Sequence, residues 1–275
     1  MTGPVWNRDA LARSPWFGSV RHVLERLPAD RFPDSHDLNA LARKRHVRSG
    51  GGAPLVFVPP AAGPGATARH YEERIFGTGE VATRPGSWHD LFNALAWLAF
   101  PRTKAMLNRL HHDELARLGE GPVRGTARDV ATLFDEGGIV VACAAPELAQ
   151  LLAGFEWQRL FWERRAEVAR SMRFLVLGHA ILEHALAPFK SVTAKALVFD
   201  ATRASLDDPT LVERLDARAA VHFTHPGSVA STRALQPLPV LGIPGWTPDN
   251  EDPAFYADAA VFRPGRARAQ KEQAP

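Results

Sequence analysis

A polar stripe on one predicted helix has the residue types of an active site. His89, Asp90, Asn93 and Trp97 lie in the segment SWHDLFNALAWLAF. At about 100° per residue they fall within about 100° of one another, on the side away from the apolar residues. A solvated helix face usually carries Lys, Glu, Arg and Gln, which favour helices more than His, Asp and Asn do. We therefore predict that the stripe faces a functional pocket; the alternative is that His89 or Asp90 caps the helix and Trp97 covers a neighbouring element.

The following predicted helix carries a second polar face. Lys104, Asn108 and His111 are spaced i, i+4 and i+7, so they share one side. Pro101 ends the first helix and lets the second fold against it, which brings Arg102 and this face towards the first stripe. Such a set suits a phosphate or a carboxylate ligand. The alternative is an ordinary exposed helix side.

His179 stands at the boundary between a predicted strand, RFLVL, and a predicted helix, HAILEHALAP. Open α/β sheets bind ligands beyond the carboxyl ends of their strands. Glu183 follows one helical turn later, so it could orient the imidazole or complete a pair of ligands for a divalent metal ion. We expect Lys190 and Lys195 to reach the same rim and bind an anionic group, and Asp200 to end the next strand there.

Two carboxylates, Asp135 and Glu136, precede a double glycine in the segment ATLFDEGGIVVACA. The two apolar runs predict a β-hairpin that turns around Glu136, Gly137 and Gly138. Paired carboxylates can bind a metal ion, or act as acid and base where their pKa values are pushed apart. The alternative is that they only form the turn.

Several known site motifs do not occur in the sequence. We find no phosphate-binding G-x-x-x-x-G-K-[ST] loop, no H-E-x-x-H zinc motif, no G-x-S-x-G nucleophile elbow and no dinucleotide-binding glycine motif. Cys143, the single cysteine, closes a buried strand and is interpreted as a packing residue. The sequence therefore predicts a polar site without naming its reaction, and its cofactor stays open.

Composition restricts the class of protein. The 275 residues carry a formal net charge of +3, and most of the excess lies in RKRHVR at 43–48 and in the tail at 265–275. A nucleic-acid-binding domain spreads its cations over a face, so nucleic acid is disfavoured as a partner. One cysteine excludes an internal disulfide. The apolar runs are too short to cross a membrane and the start of the chain does not resemble a signal peptide, so we predict a cytoplasmic location.

These residues must be positioned by an α/β (or α+β) fold. Strand and helix patterns alternate three times after Ile139, which predicts a small mixed or parallel sheet of about four to six strands covered by helices. Residues 1–48 are predicted to form a helical preface that packs on a single domain spanning 50–264. We expect little regular structure at 50–65, apart from a short strand, and at 71–87. Residues 265–275 are expected to be a disordered basic tail.

Several stretches of the chain resemble one protein family. The stretches are YEERIFGTGEVATR, WHDLFNALAWLAFPRTKAMLN, TLFDEGG, FEWQRLFWERRAEV, GHAILEHALAPFK and PLPVLGIPGW. Together they cover about residues 50 to 265 and resemble the bacterial family known as domain of unknown function 3025. The resemblance implies a cytoplasmic protein of proteobacterial type. It supplies neither an established activity nor catalytic residues.

The leading hypothesis is an enzyme acting on a small anionic molecule such as a phosphoester or acyl compound. One of the two predicted site histidines would be the general base, oriented by Asp90 or Glu183, with Arg102 or Lys104 binding the anion. A second hypothesis is a noncatalytic ligand- or protein-binding module with a structural polar network. A third is a divalent-metal hydrolase that uses Asp135 and Glu136 with the residues of the predicted helix at 179–187.

Overall fold

The N-terminal segment is helical and packs against the rest of the chain. The computed structural model describes residues 5–60, 68–118 and 125–264; the predicted tail at 265–275 lies outside these ranges. Trp16 donates a hydrogen bond from Nε1 to the carbonyl of Trp246 at 2.8 Å, and the Phe17 ring stacks on Phe92 at 5.5 Å. The helices of this segment are α1 (Arg8–Arg13), α2 (Arg21–Leu24) and α3 (Ser35–Lys44).

A two-stranded parallel sheet follows, and it corrects one prediction. Strand β1 (Val56–Val58) and strand β2 (Glu80–Ala82) are joined through helix α4 (Ala68–Thr78). The expectation of little regular structure is therefore wrong for residues 71–82, while residues 83–87 are irregular as predicted. The helix ends at Gly79, whose φ of +76° favours glycine. A Cβ there would also lie 2.1 Å from the Pro54 carbonyl oxygen. Gly79 is thus the single residue between the end of helix α4 and the start of strand β2.

Helices α5 (Trp88–Ala99) and α6 (Pro101–Leu118) form the centre of the molecule. Ser87 caps α5 by accepting a hydrogen bond from the Asp90 backbone nitrogen at 3.3 Å. Every residue of α5 from Asp90 onward is buried, so its polar stripe faces other elements and not the solvent. Both predicted helices are confirmed, and Pro101 begins α6, where a proline is well tolerated.

The segment around Asp135 is a helix and not the predicted hairpin. Helix α7 (Thr126–Gly137) passes directly into strand β3 (Gly138–Cys143). Val130 and Phe134 lie one turn apart on its fully buried face, a helical spacing that the adjacent double glycine obscures in the sequence. Glycine is frequent at helix ends as well as in turns, so the same residues end a helix here.

A mixed four-stranded sheet forms the second half of the fold and confirms the predicted fold class. The strand order is β4-β3-β5-β6, with β3 and β5 parallel and the two edge strands antiparallel to their neighbours. A π-helical turn at Arg159–Glu163 precedes helix α9 and strand β4. The elements are α8 (Pro146–Ala153), α9 (Arg165–Ser171), β4 (Met172–Val176), α10 (His179–His184), β5 (Thr193–Asp200), α11 (Arg203–Leu206), α12 (Leu211–His222) and β6 (Gln236–Pro239).

The direction of β4 corrects the prediction of a common rim. Val176, at the end of β4, pairs with Ile139 at the start of β3. Asp200, at the end of β5, pairs with Cys143 at the opposite end of the sheet. His179 and Asp200 therefore lie at opposite edges. No helix in the described part of the chain has the length and apolar character needed to cross a membrane.

Candidate active site

One cavity collects most of the predicted polar residues. It has a volume of about 700 Å³ and lies between α4, α5, α6, α7 and the start of α10. The sequence separations are large, so the cavity exists only because the helices pack around it. The predicted residues that line it are His89, Asp90, Asn93, Trp97, Lys104, Asn108, His111, Asp135, Glu136 and His179.

The deep part of the cavity is a buried ion pair. The Lys104 ammonium contacts the Asp135 carboxylate and donates a second hydrogen bond to Asn93 Oδ1 at 2.9 Å. It also lies 5.3 Å from the centre of the Trp97 ring. Burial opposes ionisation of Asp135, but the adjacent Lys104 charge outweighs it and lowers the pKa of that carboxyl below its usual value. The Asp135 carboxyl group is thus held in its ionised form.

Asn93 extends this cluster to helix α4. Its Nδ2 donates to the Tyr71 hydroxyl at 3.1 Å, while its Oδ1 accepts from Lys104. Burial raises the pKa of Tyr71, so the phenol stays protonated. The amide therefore links three helices, and its own polar atoms are already occupied. We infer that Asn93 positions Lys104.

His179 has a defined tautomer. Its Nδ1 lies 2.8 Å from the backbone carbonyl oxygen of Asp135. A carbonyl oxygen can only accept, so Nδ1 carries the hydrogen and Nε2 holds the lone pair. Burial lowers the pKa of His179 to about 4 despite the neighbouring Asp135 carboxylate. The imidazole is therefore neutral at pH 7 and offers a hydrogen-bond acceptor at the cavity wall.

His89 faces His179 and has its own carboxylate partner. The two imidazole rings meet edge to face with centres 4.6 Å apart. His89 Nδ1 lies 2.7 Å from Glu183 Oε2. A carboxylate at Nδ1 fixes the ring orientation and leaves Nε2 as the basic nitrogen. Glu183, on α10, therefore contacts His89, whereas the spacing in the sequence paired it with His179 one turn earlier on the same helix.

Asp90 has a different role from the one proposed. Its carboxylate accepts hydrogen bonds from the Arg84 backbone nitrogen at 2.7 Å and from both Nε and Nη2 of that side chain at 2.8 Å. Burial opposes ionisation, but the Arg84 contacts prevail and lower the pKa of Asp90. Asp90 therefore holds the β2–α5 turn and the Arg84 guanidinium at the cavity mouth and makes no hydrogen bond to His89.

The residues of the second polar face have different roles: Asn108 connects neighbouring segments, and His111 presents an unpaired atom at the cavity. Asn108 accepts from the Gly50 backbone nitrogen at 3.1 Å and donates to the Glu72 carboxylate at 2.9 Å, so it ties the preceding loop to α4. Nδ1 of His111 and Nε of Arg128 are buried and have no hydrogen-bond partner among the described residues. Both side chains line the cavity, and their open donors or acceptors could bind a ligand.

Three predicted anion-binding residues lie elsewhere. Arg102 is at the start of α6, where its backbone nitrogen donates to the Asp216 carboxylate at 3.0 Å. Lys190 pairs with Asp258 at 2.8 Å on the surface. Lys195 pairs across the sheet with Gly138 and lines a different cavity. Lys195 lies near the start of β5, at the same end of the sheet as the end of β4, so the direction of β4 does not separate it from His179; its side chain lines the other cavity instead.

Four charged or phenolic residues of the cavity were missed from the sequence. Tyr71 and Glu72 were hidden because their segment was taken as irregular, and Arg84 lies in a turn that has no periodic signal. Arg128 is seven residues before Asp135, which is two helical turns, so recognising α7 as a helix would have found it. The missed residues are Tyr71, Glu72, Arg84 and Arg128.

The proposed metal ligands do not form a three-ligand group. Within the described ranges, the carboxylate and imidazole atoms that lie close enough to share an ion belong to Asp34, His36 and Asp37 on the surface. At the candidate site, the Asp135 carboxylate already faces the Lys104 ammonium, which would repel a cation. Glu136 is exposed at the cavity edge. The donor set therefore favours metal-free chemistry.

Comparison with known proteins gives one match. A family model described as protein of unknown function (DUF3025) matches residues 55–266. The match covers most of the chain and confirms the resemblance seen in the sequence. No curated protein and no solved structure matches the chain.

Proposed function

We propose that this chain, which belongs to the DUF3025 family of proteins of unknown function, is an enzyme that hydrolyses a small anionic ester. The substrate class is a phosphoester or an acyl compound that fits a cavity of about 700 Å³. A cytoplasmic location is part of the same proposal and rests on the sequence alone.

The observation that carries the proposal is the pair of imidazoles at the cavity wall. His89 and His179 are in ring contact, and each has an oxygen acceptor at Nδ1 that orients its ring. Orienting partners of this kind are typical of catalytic histidines. A purely structural histidine does not require a second imidazole in ring contact with it at the wall of the same cavity.

The two histidines would divide the work. A water molecule bound between them gives its proton to Nε2 of His89, and Glu183 stabilises the resulting imidazolium. His179, neutral because of burial, accepts the water's other hydrogen and so orients its oxygen. That oxygen bonds to phosphorus or to the carbonyl carbon, the ester bond breaks, and the imidazolium returns the proton to the leaving oxygen.

The surrounding cations would bind the negative charge of the substrate. Arg84 and Arg128 line the cavity, and a guanidinium matches phosphate and carboxylate oxygens. Lys104 is less suited to this role because Asp135 and Asn93 already occupy two of its donors. We assign Lys104 to positioning: its ion pair fixes Asp135, whose carbonyl holds His179.

One observation favours the second candidate, a noncatalytic binding module. In the deep cluster of Tyr71, Asn93, Lys104 and Asp135, each side chain is paired with another member. A buried polar network in which every member is hydrogen-bonded needs no role beyond stabilising the fold. The two candidates differ in what they predict for the histidines, which lie outside that saturated cluster.

Hydrolysis assays with histidine variants test the proposal. His89→Asn and His179→Asn each keep an amide donor at the position of Nδ1 and remove Nε2. We expect wild-type protein to release 4-nitrophenolate from 4-nitrophenyl phosphate or from mono(4-nitrophenyl) succinate, an acyl ester that carries a carboxylate. Each variant should lower kcat/KM by at least about 100-fold, the usual contribution of a general base, with little change in Tm. His36→Asn, on the exposed side of α3, is the matched control and should retain full activity.

Four results would contradict the proposal. The first is that wild-type protein releases no product above a protein-free blank, and the second is that the two variants match His36→Asn in rate. A fall of several degrees in Tm for both variants, with no wild-type hydrolysis, would favour the structural network. Activity lost in a chelator and restored by a divalent ion would replace the proposed mechanism with the metal-dependent one.

A further inference from the structure

A second cavity lies on the other side of α7 from the candidate active site. It has a volume of about 790 Å³ and is bordered by Leu133 of α7, the edge strand β6 and the segment after α8. Its walls are largely apolar, with the Phe155 and Trp157 rings in edge-to-face contact at 5.5 Å. Pro237 and Pro239 of β6 add rigid surface. This is the size and character of a small-molecule site.

The charged groups of this cavity have one sign. Lys195, Arg233 and Arg263 line it, and no Asp or Glu is among its lining residues in the described ranges. In the described part of the chain, no ion pair or side-chain hydrogen bond joins these three cations to another residue; the hydrogen bonds of Arg233 and Arg263 use their backbone atoms. Together they create a positive potential beside an apolar wall.

The backbone conformation of Phe155 is a second indication that this cavity is a ligand site. Helix α8 ends in a Schellman motif, with Phe155 and Glu156 donating to the carbonyls of Leu152 and Leu151. The left-handed position of this motif usually holds glycine, but here it holds Phe155 at a φ of +58°. Glycine stands one residue earlier, at 154. Non-glycine residues in this conformation cost free energy and are found preferentially at ligand sites. Here the residue that adopts it places an aromatic ring at the cavity wall.

We propose that this second cavity binds a small organic anion with a flat apolar body. The body would lie against Phe155 and Trp157, and a carboxylate or phosphate head group would meet Arg233, Arg263 and Lys195. This site is separate from the proposed catalytic site and does not depend on it. Carboxylate and phosphate head groups both present anionic oxygens to these cations. The experiment therefore compares one ligand of each kind.

Calorimetric titration of the full chain tests the site with three probes. The probes are 2-naphthoate, 2-naphthyl phosphate and the neutral 2-naphthamide, in each case with the His89→Asn variant, so that the phosphate ester is not consumed. We expect at least one anion to bind and the amide to bind at least tenfold more weakly. Whichever anion binds more tightly identifies the head group.

Two variants and one control locate the binding. The double substitution Arg233→Gln and Arg263→Gln changes two exposed side chains and should weaken the anion at least tenfold. Phe155→Gly suits the left-handed backbone and removes one wall, so it should also weaken binding while circular dichroism shows an intact fold. The control, Arg43→Gln with Lys44→Gln, removes two exposed cations elsewhere and should bind as before.

The proposal is overturned if neither anion binds, if the amide binds as tightly as the anions, or if the arginine variant retains the affinity of the control. Full affinity in folded Phe155→Gly would show that the aromatic wall is not part of the site.

Discussion

At the scale of single residues, His179 shows how burial and one acceptor set a chemical state. The Asp135 carbonyl decides which nitrogen carries the hydrogen, and desolvation keeps the ring neutral. Both effects come from backbone and packing, not from the identity of the residue. His89 lies at the same cavity wall but is half-exposed and has a carboxylate partner, so the two rings differ in their environment although they touch.

The lowered pKa of His179 predicts a pH-dependent stability. The folded value is about 4 and the unfolded value 6.5, so the unfolded chain binds a proton first as the pH falls. The stabilisation is complete above pH 6.5 and is lost as the pH falls from 6.5 towards 4. Between pH 7 and 4.5 we expect His179 to account for a loss of roughly 2–3 kcal/mol in the free energy of unfolding.

Urea denaturation of wild type and His179→Asn at both pH values measures this loss. The variant should lose less stability on acidification by that amount. His22, whose pKa burial also lowers to about 4, contributes equally to both proteins and cancels in the comparison. His36→Asn should behave as wild type does. Equal acid sensitivity of His179→Asn and wild type would contradict the assigned burial of the neutral ring.

At the scale of elements, the site depends on the close approach of α7 and α10. Gly178 precedes α10, and its backbone nitrogen donates to the Gly138 carbonyl at 2.8 Å. A Cβ at Gly178 would lie 2.5 Å from both the Glu136 carbonyl oxygen and the Gly138 nitrogen. Only glycine lets the two elements meet closely enough for His179 to reach Asp135.

Gly178→Ala is therefore expected to separate these elements. We predict a loss of about 1–3 kcal/mol in the free energy of unfolding, typical of overpacking. Activity should fall further than stability does, because the His179 hydrogen bond is displaced. Gly77→Ala is the matched control: it lies in α4 with nothing within 4 Å of an added Cβ and should stabilise slightly. Similar denaturation midpoints for the two variants would refute the close-contact argument.

Local pattern predicted some of these elements correctly. The stripe of His89, Asn93 and Trp97 needed only helical periodicity, and the structure places those residues at one cavity. Asp135 also lines it, but the hairpin assigned to its segment was wrong because glycine marks helix ends as well as turns. The direction of β4 is set by its pairing with β3, which lies about 30 residues earlier in the chain. No local pattern reports that pairing, so the expected rim that joined His179 and Asp200 was wrong.

At the scale of the whole molecule, the candidate site rests on a core that includes the N-terminal segment. Phe17 is almost fully buried and stacks on Phe92 of α5, the helix that carries His89. Ser19 Oγ donates to the Val176 carbonyl at 2.6 Å, which connects the same segment to β4. Sequence periodicity predicted a helical preface, but its contacts join it to both halves of the fold. We propose that it is part of one cooperative unit.

Phe17→Ala tests that cooperativity. Removing a buried aromatic side chain should cost about 3–5 kcal/mol, and the loss should appear in a single transition because Phe17 contacts the central helix. Urea unfolding followed by both tryptophan fluorescence and far-UV circular dichroism should give coincident curves for wild type and variant. Val5→Ala, at an exposed position, should leave the midpoint unchanged. Two separate transitions, or a loss in Phe17→Ala no larger than in Val5→Ala, would show that the N-terminal segment folds independently of the site.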